Sequence, residues 1–166
     1  RITYGTVGAL EPRDGVVCSW QTSTNGIIEK YDPSNRDFNP SDEFMSMLSC
    51  GDWGRWAVPF GVPSRRMGKP MQNTSAEPFI AGAPAGSMPA DFLTDNDITG
   101  GNSGSPVLNA DGKLIGLAFD GNKESLASDL YCTPGYNKCV CVDIRYVLWT
   151  LDRYAGMSRI VEELGL

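Results

Sequence analysis

Asp111 and Gly112 stand between two short apolar runs, Val107 to Asn109 and Leu114 to Phe119. An Asp-Gly pair in that place favours the primed turn whose twist suits a two-stranded hairpin. Leu114, Ile115, Leu117, Ala118 and Phe119 are nearly all apolar, which predicts a strand buried on both faces. The 19 glycines and 11 prolines point the same way, to short strands and many turns rather than a helical bundle.

The rest of the chain is read around that hairpin. Ile2 to Leu10 and Val16 to Thr22 read as strands joined by the turn-rich segment EPRDG. Asn25 to Tyr31 shows no clear period. Ser41 is placed to cap a short helix reaching about Leu48, with Asp42 and Glu43 in its first turn. Ten of the 31 residues from 59 to 89 are glycine or proline, which predicts a long surface excursion. Order resumes at Ala90 to Leu93. Ile144, Val147, Leu148 and Leu151 then fall at i, i+3, i+4 and i+7, the stripe of an amphipathic helix. Gly156 is expected to end it, and a second short helix carries Ile160, Val161 and Leu164. Trp53 and Trp56 read as core or loop anchors, and Tyr146, Trp149 and Tyr154 as packing for the C-terminal helix.

With 166 residues the chain reads as one domain, residues 1–166, long enough to bury a core. Its net charge of −6 gives no basic footprint for nucleic acid. No apolar run approaches the ~20 residues of a membrane-spanning helix. The opening RITYGTV reads as mid-strand, so the chain is expected to be a fragment. Five cysteines offer no CxxC pair and there is no histidine, so neither metal nor cofactor is expected. Cys132 and Cys139 flank the turn-like TPGYNK and are a candidate disulfide. Cys141 shares a strand face with Cys139 and competes for the same partner. The alternative is that all five are buried thiols.

Gly100 to Pro106, GGNSGSP, precedes the hairpin directly. An acyl-transfer site needs an exposed hydroxyl and backbone N–H groups aimed at the oxyanion formed on attack. Gly101 allows the backbone angles this demands, Gly104 leaves room beside Ser103, and Pro106 starts the next strand. A plain Gly/Ser linker would not run straight into an apolar hairpin.

GNSGSPV resembles the nucleophile motif of trypsin-like serine peptidases, including the glutamyl endopeptidase branch. The longer run TDNDITGGNSGSPVLNADGKLIGLAFDGN, with VDIRYVL beyond it, resembles the dipeptidyl peptidases of family S46. The likeness covers roughly Thr94 to Leu151 well and extends more loosely back to RITYGTV. It implies a mainly β chain with a trypsin/chymotrypsin-like six-stranded β-barrel, the second barrel of the two-barrel fold, followed by a C-terminal α-helix. It implies Ser103 as nucleophile, with the N–H groups of Gly101 and Ser103 as oxyanion hole. The histidine and aspartate of the triad would come from a first barrel that, with a helical domain, lies outside this chain. Asp120 would hold the free amino group of a peptide substrate, and Gly121 would leave an apolar P1 pocket, with Phe119 and Thr99 also at the substrate. A bacterial, periplasmic or secreted exopeptidase is the implied whole, the chain alone being inactive. A Ser–Lys dyad through Lys113 or Lys123 is disfavoured, because neither sits where burial would lower its pKa. The alternatives are a trypsin-like barrel that only binds, or a fragment of a glutamyl-type endopeptidase.

Overall fold

The computed structural model describes residues 2–58, 86–126, 130 and 135–166. Most of the predicted excursion, residues 59–85, and Cys132 lie outside them. The described chain is mainly β with helices at its C-terminal end. β1 (Leu10–Arg13) and β2 (Val16–Cys18) form a two-stranded antiparallel hairpin. β3 (Gln21–Ser23), β4 (Pro89–Thr94), β5 (Pro106–Leu108), β6 (Leu114–Gly121) and β7 (Cys139–Asp143) form a five-stranded antiparallel sheet in the order β3-β4-β7-β6-β5. Among the described residues β3 and β5 are the edges of this sheet, which does not close on itself.

Two of the expected strands are shorter than their apolar runs. The first becomes a single bridge at Val7↔Thr94 before β1, because Asp95 satisfies the neighbouring backbone instead of a ladder. Its carboxylate accepts from the N–H and the hydroxyl of Thr6. Burial pushes the Asp95 pKa up, but the Thr6 hydrogen bonds and the nearby Lys138 charge together hold it below the ordinary carboxylate value. The second expected strand breaks between Cys18 and Gln21, as Cys18 pairs with Leu10 and Gln21 with Phe92. The chain changes sheet there.

Ser41 caps α2 (Asp42–Cys50) as expected: its Oγ accepts the Phe44 N–H at 3.2 Å. Gly51 closes the helix at φ 70°, a left-handed conformation costly for any residue with a Cβ. The ambiguous segment is a short helix, α1 (Asn25–Glu29). α3 (Ile144–Trp149) runs into a π-helical turn, Thr150–Tyr154, and α4 (Ser158–Glu163) comes after it. Asp143 starts α3, accepting from the Arg145 backbone N–H at 2.9 Å and from its guanidinium at 2.7 and 2.9 Å.

Two cores result. Leu48, Trp53, Trp56, Met88, Leu148, Trp149 and Val161 form the helical one. Trp149 is fully buried, and its indole N–H donates to the Asp52 carbonyl at 3.1 Å, so its polar handle is satisfied. Phe92, Ala118, Cys139 and Cys141 form the sheet core. Gly116 is glycine of necessity, since a Cβ there would meet the Phe92 ring and the Val142 carbonyl at 2.6 Å.

Two expectations need correction. β6 is not buried on both faces: Gly116 and Ala118 are buried, but Leu114 is 43% and Phe119 60% exposed. The sheet core covers one face only, and the outward end is left open. The Cys132–Cys139 bridge is not made either. Cys139 carries a free thiol, turned inward by the strand alternation beside Cys141, with the sulfurs 3.5 Å apart. That contact draws the Cys139 thiol below its usual pKa, and the same contact plus burial pushes Cys141 up.

Asp91 gives a stability test. Burial and the neighbouring Asp143 raise its pKa, so its folded form resists ionisation. A carboxyl raised in the folded state costs stability once the pH passes its unfolded value. Asp91→Asn is expected to raise the urea midpoint of the chain at pH 7. The gain should vanish as the pH falls below the ordinary carboxylate range. A lower midpoint at pH 7 would show that the charge is compensated.

Candidate active site

The loop ahead of β5 is built from short-range hydrogen bonds. Asn102 Oδ1 accepts the Thr99 N–H at 2.8 Å and the Thr99 hydroxyl at 3.4 Å, while the Asn102 N–H donates to the Thr99 carbonyl at 3.2 Å. The Ser105 N–H returns to the Asn102 carbonyl at 3.0 Å. Gly101 and Gly104 sit at φ 93° and 85°, where an L side chain would be strained. Two further bonds fasten the loop to β6: Gly104 N–H to the Ala118 carbonyl at 2.7 Å, and Ala118 N–H to the Ser105 carbonyl at 2.8 Å.

After this the loop retains unspent donors. The N–H groups of Gly101 and Ser103 make no hydrogen bond among the described residues. Ser103 itself is exposed. Its hydroxyl donates to the Phe119 carbonyl at 3.1 Å.

That carbonyl is available because β6 is irregular. Ala118 pairs with Cys141, but Asp120 pairs with Val140, so Phe119 is an extra residue bulged out of the ladder. A bulge re-aims the side chains of its strand. Here it turns Phe119 and Asp120 outward and brings them beside the serine loop. Asp120 accepts the Gly121 N–H on one carboxylate oxygen at 2.7 Å.

The structure thus brings Thr99, Ser103, Phe119, Asp120 and Gly121 into one open groove of about 210 Å³. Gly101 lies in the adjoining loop rather than in the groove lining. Sequence reasoning missed Asn102, although an Asn three residues after Thr99 is a legible turn signal. It also missed Asn122 and Ser125, which share the groove. Lys123 is no desolvated base: its side chain is 87% exposed and 3.8 Å from Glu124. There is no histidine in the chain to take the Ser103 proton.

The family model for peptidase S46 matches residues 1–166. The chain belongs to peptidase family S46. It is 40% identical to the dipeptidyl-peptidase 7 of Phocaeicola vulgatus over 166 residues, all of this chain and 20% of that protein. It is 34% identical to the Asp/Glu-specific dipeptidyl-peptidase of Porphyromonas endodontalis, over 99% of this chain and 19% of that one. The crystal structure of Porphyromonas endodontalis DPP11 in complex with substrate superposes with a TM-score of 0.78 at 32% identity, covering 98% of this chain and 20% of that one. The chain therefore spans about a fifth of the length of these S46 peptidases. Among the described residues, no helix is long and apolar enough to cross a membrane.

Asn102 offers a test of this S46 loop. Asn102→Ala removes the acceptor that closes it and is expected to speed hydrogen exchange at the Thr99 amide about tenfold, on the scale of one hydrogen bond. Amide-exchange measurements would check this, and an unchanged rate would mean the loop is held without Asn102.

Proposed function

We propose that the chain carries the nucleophile of a serine-type dipeptidyl peptidase that releases dipeptides from free N-termini, with apolar side chains preferred at P1. One observation carries the reading. Ser103, Asp120 and Gly121 line a single groove, beside a loop whose Gly101 and Ser103 N–H groups have no other partner among the described residues.

In this reading the Ser103 Oγ attacks the carbonyl carbon of the second substrate residue. A C–O bond forms, and the negative charge on the carbonyl oxygen is met by the N–H groups of Gly101 and Ser103. The serine proton passes to a base and from there to the leaving amine as the C–N bond breaks. Water then releases the dipeptide from the serine ester. The base and its orienting carboxylate belong to the part of the protein beyond this chain.

Asp120 pairs with the substrate ammonium through the carboxylate oxygen not taken by Gly121. An ion pair at one fixed distance from Ser103 makes the site count residues from the N-terminus. Gly121 leaves the P1 region without a charged partner, which suits an apolar side chain. As part of the same proposal, the enzyme acts in the periplasm of a bacterium or outside the cell.

Three experiments test the reading. Ser103→Ala in the full-length protein is expected to cut kcat/KM on a dipeptidyl chromogenic substrate by more than about 10³-fold. The isolated chain should show no turnover, and robust turnover by it would overturn the shared site. Asp120→Asn is expected to raise KM for free-amine substrates and to narrow the gap between free and N-terminally blocked peptides. Efficient cleavage of blocked peptides by the unaltered enzyme would instead favour an endopeptidase. Catalysis that survives Ser103→Ala would leave the chain a binding segment.

A further inference from the structure

Gly121 does not face empty space. A Cβ built on it would lie 2.5 Å from the Ser125 Oγ, well inside van der Waals contact. The Gly121 backbone is not in the left-handed region, so the obstacle to a side chain there is Ser125 alone. Ser125 also lines the groove that holds Ser103 and Asp120.

The position of this hydroxyl is fixed. It donates to the Asn122 carbonyl at 2.7 Å, and the Ser125 N–H donates to the same carbonyl at 2.9 Å. Asn122 is in turn stitched to the segment leading into β7. Its N–H donates to the Lys138 carbonyl at 3.0 Å, and its Oδ1 accepts the Lys138 N–H at 2.8 Å. Its amide nitrogen donates to the Tyr136 carbonyl and to Glu124 Oε2, each at 2.8 Å. The turn from Lys123 to Ser125 therefore cannot drift from Gly121 without breaking several bonds.

We propose that Ser125 is a specificity-determining residue of this site. Its hydroxyl takes the space that a side chain at position 121 would start from, and so sets how wide an apolar P1 group the groove admits. Asn122 acts as its positioning residue. This rests on the reading of Gly121 as a wall of the P1 region. Replacing Ser125 widens the groove at the point where Gly121 contributes no side chain. One methylene in an apolar pocket is worth roughly 10- to 200-fold in discrimination, so a change of this size is measurable.

The experiment uses the full-length peptidase and a dipeptidyl substrate series with alanine, valine, leucine and phenylalanine at P1. Ser125→Gly is expected to raise the phenylalanine-to-alanine ratio of kcat/KM about tenfold, and Ser125→Thr to lower it. Asn122→Ala should move the ratio in the same direction as Ser125→Gly, which a loss of folding alone would not do. Gly121→Ala is expected to lower kcat/KM about tenfold with Ser125 present, and less than about threefold with Ser125→Gly. Thermal unfolding of each variant separates loss of fold from change of selectivity. Dipeptide release that persists with an unchanged P1 ratio, or strictly additive effects at 121 and 125, would overturn the role of Ser125 and leave the peptidase reading standing. Absence of dipeptide release from the unaltered enzyme would overturn both.

Discussion

The site depends on two backbone hydrogen bonds that join the serine loop to β6, from Gly104 to Ala118 and from Ala118 to Ser105. They make the loop a continuation of the sheet edge. Ser103 on the loop and Asp120 on the strand are therefore held by one rigid ladder rather than by two independent loops. Geometry of this kind is what nucleophilic chemistry requires, since a small misplacement of reacting groups is expensive. The bulge at Phe119 completes it. Without the extra residue, the alternation of β6 would put Asp120 on the same face as buried Ala118.

Behind this edge the sheet is anchored by its neighbour. β7 pairs with β4 on one side and β6 on the other, and its last residue, Asp143, caps α3 while gripping Arg145. The end of the central strand is thus also the start of the helix that carries Leu148 and Trp149 into the second core. Sheet and helices share a covalent and electrostatic joint, so the groove rests on both cores. An uncompensated Asp143 at 3% exposure would be costly, and the guanidinium supplies the compensation.

Much of this was legible in the residues. The Asp111-Gly112 hairpin, the Ser41 cap, the glycines at 101 and 104 and the stripe from Ile144 all act through local rules, and local rules can be read from one sequence. The features that escaped reading depend on partners far along the chain. The bulge at Phe119 exists only relative to β7, a strand that comes well after it in the chain. Asn122 looks like a turn residue, yet its bonds are made to Tyr136 and Lys138. β6 looked buried on both faces because apolar residues were counted without knowing that its outward face borders an open groove. Cys139 and Cys141 were correctly placed on one strand face, but that face turned out to be the core, which removes Cys139 from any turn-spanning bridge.

The missing histidine and the state of Ser103 are aspects of the same arrangement. With no imidazole in the chain, the hydroxyl directs its proton to the Phe119 carbonyl, a neutral acceptor that cannot remove it. The serine is thereby held in place but not activated. In the proposed reaction, a base from the rest of the protein would have only to displace this one weak contact, worth on the order of 1 kcal/mol. On the same proposal the Gly101 and Ser103 N–H groups would need no rearrangement to meet an oxyanion, because their loop is already fixed by Asn102 and by β6. On this proposal the rigid half of the chemistry thus falls to this chain, and the rest of the protein is left the task of bringing a proton acceptor to Ser103.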